Sequence, residues 1–169
     1  MDPKCQRELV LRYSARLMTV SRRYSIDIAM AEDILQESLI NILRHIIHYE
    51  ERGTFEAWMT RIVINTALKN FKKSAFKNEV LELDQLPLPP IDPDVYAKMG
   101  AEELMELIDK LPHGYREVFN LYSIEGYSHK EITTLLGISE STSRSQLTRA
   151  RALLRRQLAA RELKSKTAV

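Results

Sequence analysis

Glu131-Ile132-Thr133-Thr134-Leu135-Leu136-Gly137-Ile138-Ser139 is the stretch on which the fold is decided. Its apolar residues return at helical spacing, Gly137 permits a turn, and Ser139 stands where a following helix needs an N-cap. Ser128 with Glu131 three residues later has the form of a capping box for the first of these helices. The second opens with Ser141, Thr142, Ser143 and Arg144, and between Glu140 and Lys166 it carries Arg144, Arg149, Arg151, Arg155, Arg156, Arg161, Lys164 and Lys166 against Glu140 and Glu162. A helix, a tight turn and a second helix, slim and hydroxyl-rich at its start and cationic beyond, meet the demands of a helix-turn-helix entering a major groove. A helical hairpin with a solvated basic face would show the same pattern.

Upstream, Leu111-Pro112 precedes a helix containing Val118, Phe119 and Leu121 that stops near Gly126. Apolar residues keep helical spacing nearly everywhere, and the alternation of half-buried strands is missing, so the chain is expected to be all-α. One interruption divides it. Glu79 to Met99 holds Pro87, Pro89, Pro90 and Pro93, four of the six prolines, and is acidic through Glu79, Glu82, Asp84, Asp92 and Asp94 against Lys98. Helix interiors reject such a proline density, so residues 77–100 read as an extended linker that avoids a DNA backbone. Two small helical domains, 1–76 and 101–169, remain on either side.

In the first domain Leu35, Leu39, Ile42, Leu43, Ile46 and Ile47 predict an amphipathic helix over 31–48 with that stripe in the core. Glu50-Glu51-Arg52-Gly53-Thr54 reads as a loop before a helix over about 55–73, anchored by Trp58, Ile62 and Leu68 and ending on Lys69, Lys72 and Lys73, with Lys77 beyond. Asp33, Glu37, Asn41, His45 and Tyr49 recur at i, i+4 as a ridge. Such a ridge is either the wet face of a core helix or a working surface, its acidic end gripping a basic protein and its rings stacking on unpaired bases.

The 169 residues carry 44% hydrophobic and 28% charged side chains with a net charge of +2, a soluble globular composition with a weak pull toward polyanions. A single cysteine, Cys5, allows neither an intrachain disulfide nor a cysteine-based zinc site and fits a reducing compartment. No signal core or membrane-length apolar run is visible, so a cytoplasmic location is expected. His45 and His48 lie one turn apart but lack nearby helical carboxylates, and no phosphate loop, HExxH pattern or paired nucleophile appears. Cys5 is expected in a mobile terminus, and Trp58 in the core. Neither an enzymatic activity nor a cofactor or metal is expected.

Two sets of motifs carry a family resemblance. Asp33-Ile34-Leu35-Gln36-Glu37-Ser38-Leu39-Ile40 resembles the DxxQE(T/S)F segment of region 2 of bacterial RNA polymerase sigma factors, and Phe55-x-x-Trp58-Met59-x-Arg61-Ile62-x-x-Asn65 resembles its continuation. Leu111-Pro112, Tyr115-Arg116-Glu117-Val118-Phe119, Glu125-Gly126-Tyr127-Ser128, Lys130-Glu131-Ile132, Leu136-Gly137-Ile138-Ser139, Thr142 and Arg149-Ala150-Arg151 resemble region 4 in order and spacing. The likeness is to the extracytoplasmic-function (ECF) type.

That resemblance implies a non-enzymatic subunit that joins core RNA polymerase, recognises promoter DNA and promotes its melting. It implies that Asp33, Gln36 and Glu37 dock on the beta-prime clamp helices and that region 4 meets the beta flap. It places Asn41, His45, Tyr49, Thr60, Arg61 and Asn65 at the non-template strand or a flipped base of the minus-10 element, with Lys69, Lys72 and Lys73 on phosphates. Ser141, Thr142, Arg144, Ser145 and Thr148 would face the minus-35 element, with Arg149 and Arg151 on phosphates. An anti-sigma factor is an implied partner. Leu39 and Leu43 replace common aromatics, Ser143 a common valine and Gln146 a common basic residue, so a looser start to the recognition helix and a different target sequence are expected. The alternative is a free-standing helix-turn-helix regulator, which leaves the acidic ridge and the 58–65 pattern unexplained.

Overall fold

In the computed structural model of the protein, residues 2–74 and 100–167 are described, with the side chains of 71–74, 101–102 and 162–167 outside that description. The acidic proline-rich linker, Lys77 and the side chains of Lys72, Lys73, Lys164 and Lys166 therefore lie outside the described residues. The chain divides into two compact units, residues 1–80 and 81–169. All regular elements among the described residues are helical.

The first unit packs three helices: α1 (Pro3–Arg23), α2 (Ile28–His45) and α3 (Phe55–Ser74). Helix α1 begins with Asp2 as N-cap, accepting from the Lys4 amide at 3.1 Å, and Pro3 in the first turn, where a missing N–H costs nothing. Cys5 is thus an exposed residue of an ordered first helical turn rather than of a mobile tail. Asp27 caps α2 through the Met30 amide at 2.8 Å.

The buried line of α2 is Ala31, Ile34, Ser38 and Ile42, packed with Leu17, Val20 and Tyr24 of and beside α1 and Met59, Val63, Ile64 and Ala67 of α3. Of the stripe expected from 35 to 47, Ile42 lies in this line, Leu35, Leu39, Leu43 and Ile46 form its half-buried flank, and Ile47 is 79% exposed. The cause is the face it occupies: Ile47 stands seven residues, two turns, beyond the exposed Ile40 and shares its outer face, while α2 itself stops at His45 and continues as a 3-10 turn, Ile46–His48.

The second unit holds α4 (Ala101–Asp109), α5 (His113–Phe119), a π-helical turn (Asn120–Ile124), α6 (His129–Leu136) and α7 (Glu140–Thr167). Leu107, Ile108, Leu111, Tyr115, Ala150, Leu154 and Leu158 form one buried cluster. Arg161 reaches Glu106 at 2.9 Å and ties the far part of α7 to α4. The capping box at the start of α6 is present in both directions, Ser128 Oγ accepting from the Glu131 amide and the Ser128 amide donating to the Glu131 carboxylate. Gly137 ends α6 at φ +73°, a left-handed conformation that a Cβ would strain. Ser139 Oγ accepts from the Thr142 amide at 3.1 Å and starts α7. The expected helix, turn and second helix are therefore formed at the expected residues.

Candidate nucleic-acid interface

Glu37, Asn41 and His45 occupy successive turns of α2, and Trp58, Ile62, Asn65, Thr66 and Lys69 do the same on α3. The two rows, with His48, line one groove of about 500 Å³. Trp58 and Ile62 give it apolar surface, while Asn41 and Asn65 bring amides and Lys69 an exposed cation. His45 Nδ1 lies 2.7 Å from the Asn41 carbonyl oxygen; donating there leaves Nε2 of the neutral ring as an acceptor.

A second cavity of about 290 Å³ adjoins it through the shared His48 and Trp58 and is lined by Tyr49, Glu50, Arg52, Gly53, Thr54, Ala57 and Arg61 as well. The loop closes on itself, the Tyr49 hydroxyl donating to the Gly53 carbonyl at 2.6 Å. Tyr49 is off the α2 ridge, beyond the 3-10 turn. Its ring packs instead with Phe55 and Trp58, at centroid separations of 5.2 and 5.4 Å. Trp58 stacks on Phe55 at 5.5 Å and stays half-buried, so it is a wall shared by two cavities rather than the core anchor the sequence suggested. Thr60 is half-buried and lines neither cavity, whereas Arg61 is exposed at the second.

Of the three acidic-face residues, Asp33 and Gln36 are exposed, while Glu37 turns toward α3 and accepts from Asn70 Nδ2 at 3.1 Å. Glu37 thus borders the groove and the outer face together. On that outer face Ile40 and Ile47, 44% and 79% exposed, continue the row of Asp33, Gln36 and Arg44. Sequence reasoning missed His48, Ile62 and Thr66 as groove residues, although Trp58, Ile62, Thr66 and Lys69 share a helix face by spacing.

In the second unit Ser141, Arg144, Ser145, Thr148, Arg149 and Arg151 are exposed on the first turns of α7, and Thr142 is half-buried. The hydroxyls serve the helix as well: Ser139 Oγ is 2.8 Å from both Ser141 Oγ and Thr142 Oγ1, Ser145 donates to the Thr142 carbonyl, and Thr148 to that of Arg144. Each keeps acceptor capacity toward solvent. The Arg144 guanidinium pairs with Glu140 one turn earlier. Gln146 is half-buried, its amide against Gly114, where a Cβ would meet Nε2 at 3.2 Å; it is therefore engaged with α5.

Ser143 is fully buried, with Oγ 2.9 Å from His129 Nδ1, so the start of α7 is pinned to α6 and not loosened by the missing valine. Ser143→Val leaves that histidine nitrogen buried without its partner and should cost the second unit about 1 to 3 kcal/mol. Thermal unfolding followed by circular dichroism measures the loss, and an unchanged or raised Tm would show that the pair contributes nothing net.

Burial, with Arg144 and Arg151 nearby and only Glu140 opposing, lowers the pKa of His129. Burial and Arg116 lower that of His113 from 6.5 to about 4, outweighing the Glu117 carboxylate 3.4 Å away. Both rings are therefore neutral at pH 7. Because the unfolded chain takes up protons near pH 6.5 that the folded unit refuses, stability is full above that pH and falls as pH drops from 6.5 toward 4. Histidine ring NMR between pH 7 and 4 should show both rings titrating below their ordinary value, and an ordinary titration of either would contradict its burial.

The described residues thus form a helix-turn-helix unit and a three-helix unit with a polar groove. A family model for sigma-70 region 2 matches residues 9–76, and one for sigma-70 region 4 matches residues 101–154. The ECF RNA polymerase sigma factor SigE of Mycolicibacterium smegmatis is 35% identical over 158 residues, covering 90% of this chain and 61% of that protein, so the chain spans less than two thirds of it. The RNA polymerase sigma-E factor of Streptomyces coelicolor is 32% identical over 147 residues, covering 87% of this chain and 82% of that protein. The fold is also that of the sigma factor RpoE solved in complex with the anti-sigma factor NepR from Bartonella quintana, at TM-score 0.55 and 20% identity over 91% of this chain and 96% of that one. The chain belongs to the sigma-70 family of RNA polymerase sigma factors, as a member of the ECF type.

Proposed function

We propose that the protein binds core RNA polymerase, reads the minus-35 and minus-10 elements of a promoter and helps to melt the DNA, without catalysing a reaction of its own. The observation that carries this reading is the groove between α2 and α3, where Asn41, His45, Trp58, Asn65 and Lys69 meet on one surface. Aromatic surface for stacking, amides for base edges and a cation for phosphate are what a single strand of DNA requires. The adjoining cavity at Tyr49, Thr54 and Arg61 offers room and polar edges for an extruded base. Lys72 and Lys73, next along the sequence, are proposed as further phosphate contacts.

Polymerase docking falls to Asp33 and Gln36, with Glu37 at the edge. The exposed Ile40 and Ile47 supply apolar area beside them, and an exposed mixture of apolar and charged residues suits a protein partner more than DNA. Region 4 would place Arg144, Ser145 and Thr148, with Ser141 and Thr142, at base edges and Arg149 and Arg151 on phosphates, meeting the beta flap on its other side. An anti-sigma factor would act by covering these surfaces, the kind of partner named in the complex of the similar RpoE. The linker carries the family's connecting role, and the working compartment is the cytoplasm.

The test is co-purification with core polymerase followed by promoter footprinting. The protein alone should bind duplex DNA weakly and gain a specific footprint only with core. A dimer that footprints a palindromic operator and ignores polymerase would replace this reading with that of a free-standing regulator. Within region 4, Arg144→Ala should cost about 1 to 3 kcal/mol, mainly on promoters carrying its preferred base. Holoenzyme binding to a panel of single-base minus-35 variants measures it; equal weakening of every promoter would make Arg144 a backbone clamp.

A further inference from the structure

Four side chains from three elements form one continuous contact in the second unit. Ser143 of α7 holds the His129 ring of α6 at 2.9 Å. The Tyr122 ring, from the π-helical turn, stacks on His129 with centroids 4.5 Å apart and planes 26° from parallel. The Arg151 guanidinium carbon, two turns further along α7, sits 5.7 Å from the centre of the Tyr122 ring. The π-helical geometry of 120–124 is part of this device: the extra residue per turn shifts the register, and such turns gather at working sites.

The stack has one free end and one anchored end. Ser143 is buried and His129 nearly so, Tyr122 is half-buried, and Arg151 is exposed. Arg151 has no ion pair with a carboxylate among the described residues, unlike Arg144 with Glu140 and Arg161 with Glu106. A ring face attracts a guanidinium without neutralising its charge or occupying its N–H donors, so the arginine is steered while all its donors stay available to an anion.

We propose that Tyr122, itself locked by the His129 and Ser143 pair, is a positioning residue that pre-orients Arg151 for a DNA phosphate. This rests on the reading of Arg151 as a phosphate contact given above. Tyr122 touches no DNA in this scheme. It acts by restricting the arginine before binding, so that less side-chain freedom is lost when the phosphate is gripped.

Holoenzyme binding to one promoter, measured across a series of salt concentrations, tests the proposal with Tyr122→Phe, Tyr122→Leu, Arg151→Ala and the Tyr122→Leu, Arg151→Ala double variant. Tyr122→Phe keeps the ring and should match the wild type in affinity and salt slope. Tyr122→Leu should weaken binding about two- to five-fold and lower the salt slope by up to roughly one counterion. In the Arg151→Ala background it should do nothing further. A purely structural tyrosine would lower the Tm yet leave the slope alone, and its loss would add to that of Arg151; either result overturns the proposal. An unchanged salt slope in Arg151→Ala itself would bring down the phosphate reading first and the positioning role with it.

Discussion

Replacing Asp33 by lysine is expected to abolish transcription by preventing assembly with core polymerase, with a loss of affinity of about 100-fold, or ~3 kcal/mol. Asp33 is fully available on the outer face of α2, away from both cavities, and its neighbours Gln36 and Ile40 are exposed with it. At a surface complementary to a basic partner, reversing the charge replaces attraction by repulsion, which costs several kcal/mol. The fold should be untouched, since Asp33 makes no packing contribution to the buried line at 31, 34, 38 and 42. Glu37→Lys is the less discriminating variant, because it also removes the acceptor that holds Asn70. Native gel assembly with core measures the effect, with DNA binding by region 4 as the internal control. Normal core affinity in Asp33→Lys would remove this face from the docking surface.

The second large effect is expected from Trp58→Ala. This ring borders both cavities of the first unit and packs against Tyr49 and Phe55, so its removal merges the two cavities and frees the loop that Tyr49 closes. Loss of an aromatic stacking surface costs about 1 to 3 kcal/mol per base. Promoter melting, followed by permanganate reactivity of unpaired thymines, should therefore fall by about ten-fold or more, while assembly with core stays near normal. Because Trp58 is half-buried, the unit should still fold. A variant that melts promoters normally would show that neither cavity receives a base.

The parts of this architecture visible in sequence are those set by signals a few residues long. Gly137 with Ser139, and Ser128 with Glu131, specify their turn and caps through backbone groups close by, and both form at those residues. Helix α1 was harder to see, because its buried Leu9, Leu17 and Val20 are diluted by arginines on the remaining faces. Ile47 misled for another reason: two turns beyond Ile40, it shares that residue's exposed outer face and not the buried line at 31, 34, 38 and 42.

The candidate site was legible as two rows but not as a groove. Asn41, His45, Asn65 and Lys69 were marked by spacing, charge and the family resemblance, yet that Thr66 and His48 join them, and that Glu37 leans inward to Asn70, depends on how α2 and α3 pack. The His129 and Ser143 bond is similarly invisible along the chain. A serine in place of valine reads as a packing defect until the histidine fourteen residues earlier is brought against it.

The most direct measurement is run-off transcription with purified core polymerase, using a template library so that the promoter need not be known beforehand. Core with this protein should yield transcripts from a subset of templates sharing minus-35 and minus-10 elements, and core alone, or core with Asp33→Lys, should yield none of them. Transcripts that do not depend on the protein, or a protein that fails to join core while binding duplex DNA by itself, would contradict its assignment as the promoter-reading subunit.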